Sequence, residues 1–132
     1  MTIDEIVSYS DAKQRCSDLG GDLVKINSQE ENEFVLQLAR EGIDSANQVW
    51  IGLELLESND DTKDFYWSDL SVPVYTNWAP GEPNGGDNEP CGQMYVFGYE
   101  NDLPRHATAY WNDISCVAQS GQPNGIVCKL LP

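Results

Sequence analysis

Apolar residues near the start of the chain recur with the period of an amphipathic helix. Ala12, Cys16 and Leu19 lie four and three positions apart, which places them on one face of a helix. We expect Ser10 or Asp11 to cap this helix, and the two glycines that follow Leu19 to end it. The pattern therefore predicts a short helix with one face packed on the core.

A second helix is predicted after Asp22–Ile26, which form a short strand or an extended link. Ser28 followed by Glu31 has the spacing of a capping box, in which the two side chains satisfy free amides at the start of a helix. Gly42 lies near the predicted end. The apolar stripe of this helix consists of Phe34, Val35, Leu38 and Ala39.

From Gln48 onward the pattern changes to short runs of β-branched and aromatic residues, which favour strands. These runs are Val49–Leu53, Phe65–Trp67, Met94–Phe97 and Ile126–Leu130. Four prolines and three glycines lie between Leu70 and Cys91 and indicate a long loop. Two helices followed by short strands and this loop predict a single α+β domain over residues 1–132.

The charge balance narrows the choice of ligand. The chain has 7 basic and 22 acidic residues, for a formal net charge of −15. Such a surface repels phosphate backbones and anionic lipids, so we expect neither nucleic acid nor a membrane surface as a partner. No apolar run approaches the roughly 18 residues of a membrane span, so direct membrane insertion is not expected. Many carboxylates do suit a hard cation such as calcium.

The cysteines favour disulfides over a metal or a catalytic role. The four cysteines include no Cys-x-x-Cys pair, and the chain has a single histidine, so a zinc site is not expected. We expect two disulfides and a secreted, extracellular location, although spacing alone leaves three connectivities open. With one histidine and no free thiol, nucleophilic catalysis lacks its usual residues, so we expect no enzyme.

A set of motifs in a fixed order resembles the C-type lectin-like domain. The motifs are Trp50–Leu53, Trp78–Asn84, Glu89 and Trp111–Asp113, together with the four cysteines. The resemblance spans about residue 9 to residue 129 and corresponds to the short form of the domain. It implies a double-looped fold in which both helices flank two small antiparallel sheets. It also implies the disulfides Cys16–Cys128 and Cys91–Cys116, and burial of Trp50 and Trp111 in the core.

The resemblance implies a calcium site that also binds a sugar. Its ligands would be Glu82, Asn84, Glu89, Asn112 and Asp113, with a cis bond before Pro83. These side chains offer only carboxylate and amide oxygens, the ligands that calcium prefers. In lectins of this family the ion also binds two vicinal hydroxyls of a sugar. The order Glu then Asn is associated there with mannose-type ligands: mannose, N-acetylglucosamine, glucose and fucose.

The chain departs from the family pattern in two places. Many members bind an auxiliary calcium through aspartates where this chain has Gly85 and Pro90, so we expect that second site to be absent. The alternative is a substitute site formed by Asp87, Glu57 or Asp60. Residues 100–106 look like an insertion near the sugar face. Within it, Arg105 and His106 are candidate secondary sugar contacts, and a solvated loop is the alternative.

Two other uses of the same fold stay open at this point. Some relatives with similar motifs bind ice or proteins, so a calcium-dependent ice-binding or protein-binding domain is the alternative to a lectin. Affinity for one sugar is expected to be weak, which favours clustered glycans or a homo-oligomer. The sequence contains no collagen-like or coiled-coil segment, so we expect an oligomer to use the surface of the domain or a partner outside this chain.

Overall fold

The α+β class is confirmed by the computed structural model, which describes residues 1–44, 46–57, 63–96, 108–117 and 124–130. Nine helices and strands follow one another over these residues. They are β1 (Thr2–Ile3), α1 (Tyr9–Asp18), β2 (Gly21–Leu23), α2 (Gln29–Gly42), β3 (Gln48–Glu57), β4 (Lys63–Trp67), β5 (Cys91–Tyr95), β6 (Trp111–Ile114) and β7 (Asn124–Leu130). Between β4 and β5 the chain forms one short 3-10 turn, Gly86–Asn88, as expected for a long loop.

The strands form a connected sheet in the order β1-β7-β3-β5-β6, with β2 paired to β7 and β4 paired to β3. β3 and β7 run parallel, whereas the expected pairing was antiparallel throughout. The other described pairs are antiparallel. A parallel pair needs a long crossover. The chain supplies one, because β4, the long loop, β5 and β6 all intervene between β3 and β7.

α1 begins earlier than the sequence pattern predicted. Ser8, rather than Ser10 or Asp11, is its N-cap, and the Ser8 hydroxyl accepts a hydrogen bond from the Asp11 amide at 3.3 Å. Tyr9 explains the shift, because its buried ring packs edge-on against Trp50 at 5.6 Å and draws the first turn onto the core.

α2 begins as predicted, but its apolar stripe is narrower. The Ser28 hydroxyl accepts from the Glu31 amide at 3.1 Å. Val35 and Ala39 are buried, whereas Phe34 is 66% exposed and was wrongly placed on the core face. Adjacent helix residues point about 100° apart, so Phe34 cannot face the same way as Val35.

Trp111 is the centre of the core beneath the long loop. It is fully buried, and its ring lies 5.6–5.9 Å from the rings of Trp67, Tyr75 and Trp78. Its indole nitrogen donates to Asn32 Oδ1 at 2.8 Å. Its strand, β6, was not predicted, because four residues with a polar centre carry no clear alternation. Burial of Trp111 therefore fixes the strand that carries Asn112 and Asp113.

Both implied disulfides are present. Cys16–Cys128 closes a separation of 112 residues and Cys91–Cys116 one of 25. By loop-closure entropy such cross-links stabilise the fold by roughly 4–5 and 3 kcal/mol respectively. The second one joins the start of β5 to the residue two after β6, at the base of the long loop. Within the described ranges no helix is long and apolar enough to cross a membrane.

Candidate metal centre

Three carboxylates converge between the long loop and β6. Glu82, Glu89 and Asp113 each place one oxygen within 4.8 Å of the others, the one such cluster among the described residues. Asp113 lies on β6, Glu82 comes from the long loop, and Glu89 directly follows the 3-10 turn. The peptide bond between Glu82 and Pro83 is cis. Residues that lie 31 positions apart in the sequence, from 82 to 113, thus share one site.

The two oxygens of the Asp113 carboxylate differ in their hydrogen bonding. Its Oδ2 accepts hydrogen bonds from the backbone amides of Asn84 at 3.0 Å and Gly85 at 2.7 Å. Its Oδ1 is buried and has no hydrogen-bond partner, and the same is true of Glu82 Oε2. An unpartnered buried oxygen is unfavourable by about 1–3 kcal/mol, and more when it is charged. One Asp113 oxygen therefore holds the loop, and the other remains available to a cation.

The convergence of negative groups changes their acidity. The pKa of Glu82 is raised to about 8, mainly by burial, then by the close approach of the Asp113 side chain and by the negative charges of Asp113 and Glu89. Burial also raises the pKa of Glu89, with a further contribution from the charge of Asp113. Without a bound cation, the three ionised carboxylates therefore repel one another. A divalent cation would offset that repulsion.

The two predicted amide ligands lie beside the cluster in the chain. Asn84 is exposed and contributes its backbone amide to Asp113. Asn112 precedes Asp113 on β6, is 8% exposed, and donates its side-chain Nδ2 to Gln93 Oε1 at 2.8 Å. Arg105 and His106, the predicted secondary sugar contacts, lie outside the described residues.

The donor set fits calcium. Every group in the cluster and its neighbouring amides offers oxygen, and two buried carboxylate oxygens have no other partner. Calcium takes 6–8 oxygen ligands and tolerates irregular geometry, so a loop and a strand can supply them together. Thiol and imidazole ligands, which select softer metals, do not belong to the cluster.

Gly85 has a role that the sequence analysis missed. A Cβ at this position would overlap the Oε1, Cβ and Cγ atoms of Glu89, because the Glu89 side chain lies directly over the glycine. The sequence marked Gly85 only as the loss of an auxiliary calcium ligand. The contact depends on the 3-10 turn that folds Glu89 back, and no local sequence signal predicts that turn.

Comparison with known proteins agrees with the motifs. The family model described as the lectin C-type domain matches residues 5–130. A perlucin-like protein of Mytilus galloprovincialis is 33% identical over 110 residues, which cover 83% of this chain and 63% of that protein. The chain thus spans less than two thirds of the length of this relative.

Solved structures show the same fold. The C-type carbohydrate-recognition domain of cow CD23, solved in the presence of a GlcNAc2Man3 oligosaccharide, has a TM-score of 0.72 at 28% identity. The match covers 99% of this chain and 86% of that one. A calcium-independent type II antifreeze protein has a TM-score of 0.71 at 23% identity, with 96% and 81% coverage, and this likeness shows the fold alone.

We predict that pH acts oppositely on the calcium-free and calcium-bound protein. Because the folded-state pKa of Glu82 is raised above its unfolded value, the folded state binds more protons between about pH 4.5 and 8. The melting temperature in chelator should therefore fall as pH rises through this range. The increase in melting temperature caused by calcium should grow over the same range, since protons compete with the ion.

Differential scanning calorimetry at pH 5, 6.5 and 8, with calcium or with EGTA, checks this prediction. Glu82→Gln is the matched control, because it keeps the size of the side chain and cannot ionise. It should flatten the pH dependence in EGTA. A wild-type melting temperature in EGTA that rises from pH 5 to pH 8 would contradict the interpretation.

We predict that Gly85→Ala weakens calcium binding at least tenfold, because the new methyl group must displace Glu89. The backbone at Gly85 is in the right-handed helical region, so alanine adds no backbone strain. Calorimetric titration with calcium measures the effect. Gly81→Ala is the control, since it strains the same loop at φ +85 but contacts nothing. In a Glu89→Gly background, which removes all three overlapping atoms, Gly85→Ala should have no further effect; an equal loss there would contradict the mechanism.

Proposed function

The chain belongs to the lectin C-type domain family, and on that premise we propose that it binds mannose-type glycans in a calcium-dependent manner. Domains of this family bind carbohydrate, generally with calcium, and are not enzymes. The domain is therefore a binding domain. We further propose that residues 1–132 form one carbohydrate-recognition domain that acts outside the cell.

The observation that supports a calcium-dependent function is the cluster of three carboxylates with two unpartnered buried oxygens. We assign the ligand set to five residues: Glu82, Asn84, Glu89, Asn112 and Asp113. When bound, calcium supplies open coordination positions for two neighbouring hydroxyls of a sugar. The carboxylates of the protein hold the ion and also accept hydrogen bonds from the sugar hydroxyls.

The order of residues in the loop supports mannose-type specificity. A carboxylate accepts a hydrogen bond from a sugar hydroxyl, whereas an amide nitrogen donates one to the hydroxyl oxygen. Glu82 and Asn84 would form one such pair, and Glu89 and Asn112 the second. The Glu-then-Asn order matches equatorial neighbouring hydroxyls. Terminal mannose, N-acetylglucosamine and fucose are therefore the proposed targets.

One monosaccharide offers few contacts, so we expect a millimolar affinity, about −4 kcal/mol. Clustered glycans would raise the apparent affinity if several copies of the domain bound together. The cow CD23 domain, solved in the presence of GlcNAc2Man3 oligosaccharide, supports this class of ligand for a relative.

Ice binding is the second candidate, and a protein of the same fold is described as an antifreeze protein. That relative is described as calcium-independent and shares only 23% of its sequence with this chain. The carboxylate cluster would have no role in a calcium-independent function, so the site favours the lectin over ice binding of that kind. A calcium-dependent ice-binding or protein-binding domain would use the same cluster, and retention on glycans separates it from a lectin.

We predict that a glycan array retains the protein on mannose-, N-acetylglucosamine- or fucose-terminated glycans in calcium, and that EGTA abolishes this retention. Asp113→Asn is the control variant, because its amide keeps the size of the side chain while removing a charge from the cluster. It should bind no glycan at the same calcium concentration. Retention of none of these glycans by the wild type in calcium would refute the proposed specificity.

We predict that the double variant Glu82→Gln with Asn84→Asp shifts preference from mannose to galactose. The exchange reverses which loop position donates a hydrogen bond and which accepts one, while the total charge stays the same. Competition by free methyl glycosides against a mannose-coated surface measures the shift. The single variants are controls, since each changes the charge without completing the exchange. Unchanged mannose preference in the double variant would refute the contact scheme.

A further inference from the structure

Three amide side chains form a buried hydrogen-bonded row that ends at Asn112, the residue before Asp113. Gln93 donates its Nε2 to Asn124 Oδ1 at 2.7 Å, and its Oε1 accepts from Asn112 Nδ2 at 2.8 Å. Gln93 and Asn124 are at most 1% exposed. The row runs from the start of β7, through β5, to β6. Neither Gln93 nor Asn124 belongs to the motifs that identified the site.

The register of the sheet makes this row rigid. Gln93 and Asn112 are directly opposite each other in the antiparallel pair of β5 and β6, and the next pair is Gly92 with Asp113. Side chains at opposite positions share a face and lie close together. Asn112 is therefore held by its neighbour on the very strand that presents Asp113 to the cluster.

The row also has a direction. An amide has one oxygen that accepts and one nitrogen that donates, so a chain of amides can run in only two ways. Because Asn124 Oδ1 takes the nitrogen of Gln93, the Gln93 oxygen faces Asn112 and binds its nitrogen. The Asn112 oxygen is then the atom left for other partners. In the reverse direction Asn112 would offer nitrogen, which repels a cation.

We propose that Gln93 is a positioning residue for the calcium site: together with Asn124 it orients the Asn112 amide so that oxygen, not nitrogen, is available to the ion. This inference rests on the proposed function in one respect, the assignment of Asn112 as a ligand. The same orientation leaves the second hydrogen of Asn112 Nδ2 for a sugar hydroxyl. Gln93 thus sets both the metal ligand and the donor, without touching either the ion or the sugar.

The competing explanation is that the three amides only satisfy one another in the core. In that case a change at Gln93 would lower the free energy of unfolding and leave the coordination of the ion unaltered. A count of the water molecules on the bound ion separates the two explanations, because a lost protein ligand is replaced by water. Terbium is a suitable probe, since it binds oxygen sites and its luminescence lifetimes in H2O and D2O report that count.

The experiment compares Gln93→Met with Gln93→Glu. Methionine removes both hydrogen bonds of the row, whereas glutamate keeps an oxygen that accepts from Asn112. Gln93→Met should add one water to bound terbium, as Asn112→Ala does, and lower calcium affinity about tenfold. Gln93→Glu should leave the water count at the wild-type value. In the double variant with Asn112→Ala, Gln93→Met should add no further water.

Ile26→Val is the control for a general loss of stability, since Ile26 is fully buried and apolar. The number of water molecules on terbium bound to this variant should equal the wild-type number. An unchanged water count in folded Gln93→Met, or an added water in Gln93→Glu, would overturn the proposal. If Gln93→Met does not fold, NMR of the calcium-bound wild type decides: nuclear Overhauser contacts from Asn112 Nδ2 to the Gln93 side chain should persist, and their loss would overturn it. Failure of the wild type to bind calcium would refute the proposed function instead.

Discussion

The buried carboxylate of Asp113 is the interaction on which the site depends. The loop between β4 and β5 has little regular structure of its own. Its backbone amides at Asn84 and Gly85 both donate hydrogen bonds to one oxygen of the Asp113 side chain. Asp113 is fully buried and lies on a strand fixed by the neighbouring Trp111. The position of the loop is therefore set by the core. Glu82 lies in this loop, so the same contacts place its carboxylate in the cluster.

This arrangement brings like charges together, which opposes folding. Burial and the approach of Asp113 raise the pKa of Glu82 to about 8, so the ionised cluster is unfavourable near neutral pH. The surrounding structure compensates through rigid connections. The Cys91–Cys116 disulfide ties β5 to the end of β6, and the tryptophan rings pack beneath the loop. A site held open against its own repulsion is one that a divalent cation stabilises strongly.

The sequence predicted what depends on residue type and local spacing. Helix capping at Ser28 needs only a serine and a glutamate three residues apart, and the motif around Glu82 contains a loop carboxylate that the structure brings to the candidate cluster. The sequence pattern did not predict contacts that depend on strand register or on a turn. Gly85 under Glu89 requires the 3-10 turn, and Gln93 opposite Asn112 requires the pairing of β5 with β6. Residues 97–107 lie outside the described structure, so the predicted role of Arg105 and His106 stays a prediction.

Carboxylate and amide side chains have different roles in the site. Carboxylates carry the charge that holds a cation, and their number sets its affinity, whereas each amide has a donor end and an acceptor end whose direction must be chosen. In Asn112 the direction is chosen by hydrogen bonds deep in the sheet, beyond the reach of any ligand. If Asn112 is a ligand as proposed, the same buried hydrogen bonds affect both the affinity for the ion and the contact with the sugar. A substitution in the core would then weaken the site while every carboxylate stays in place.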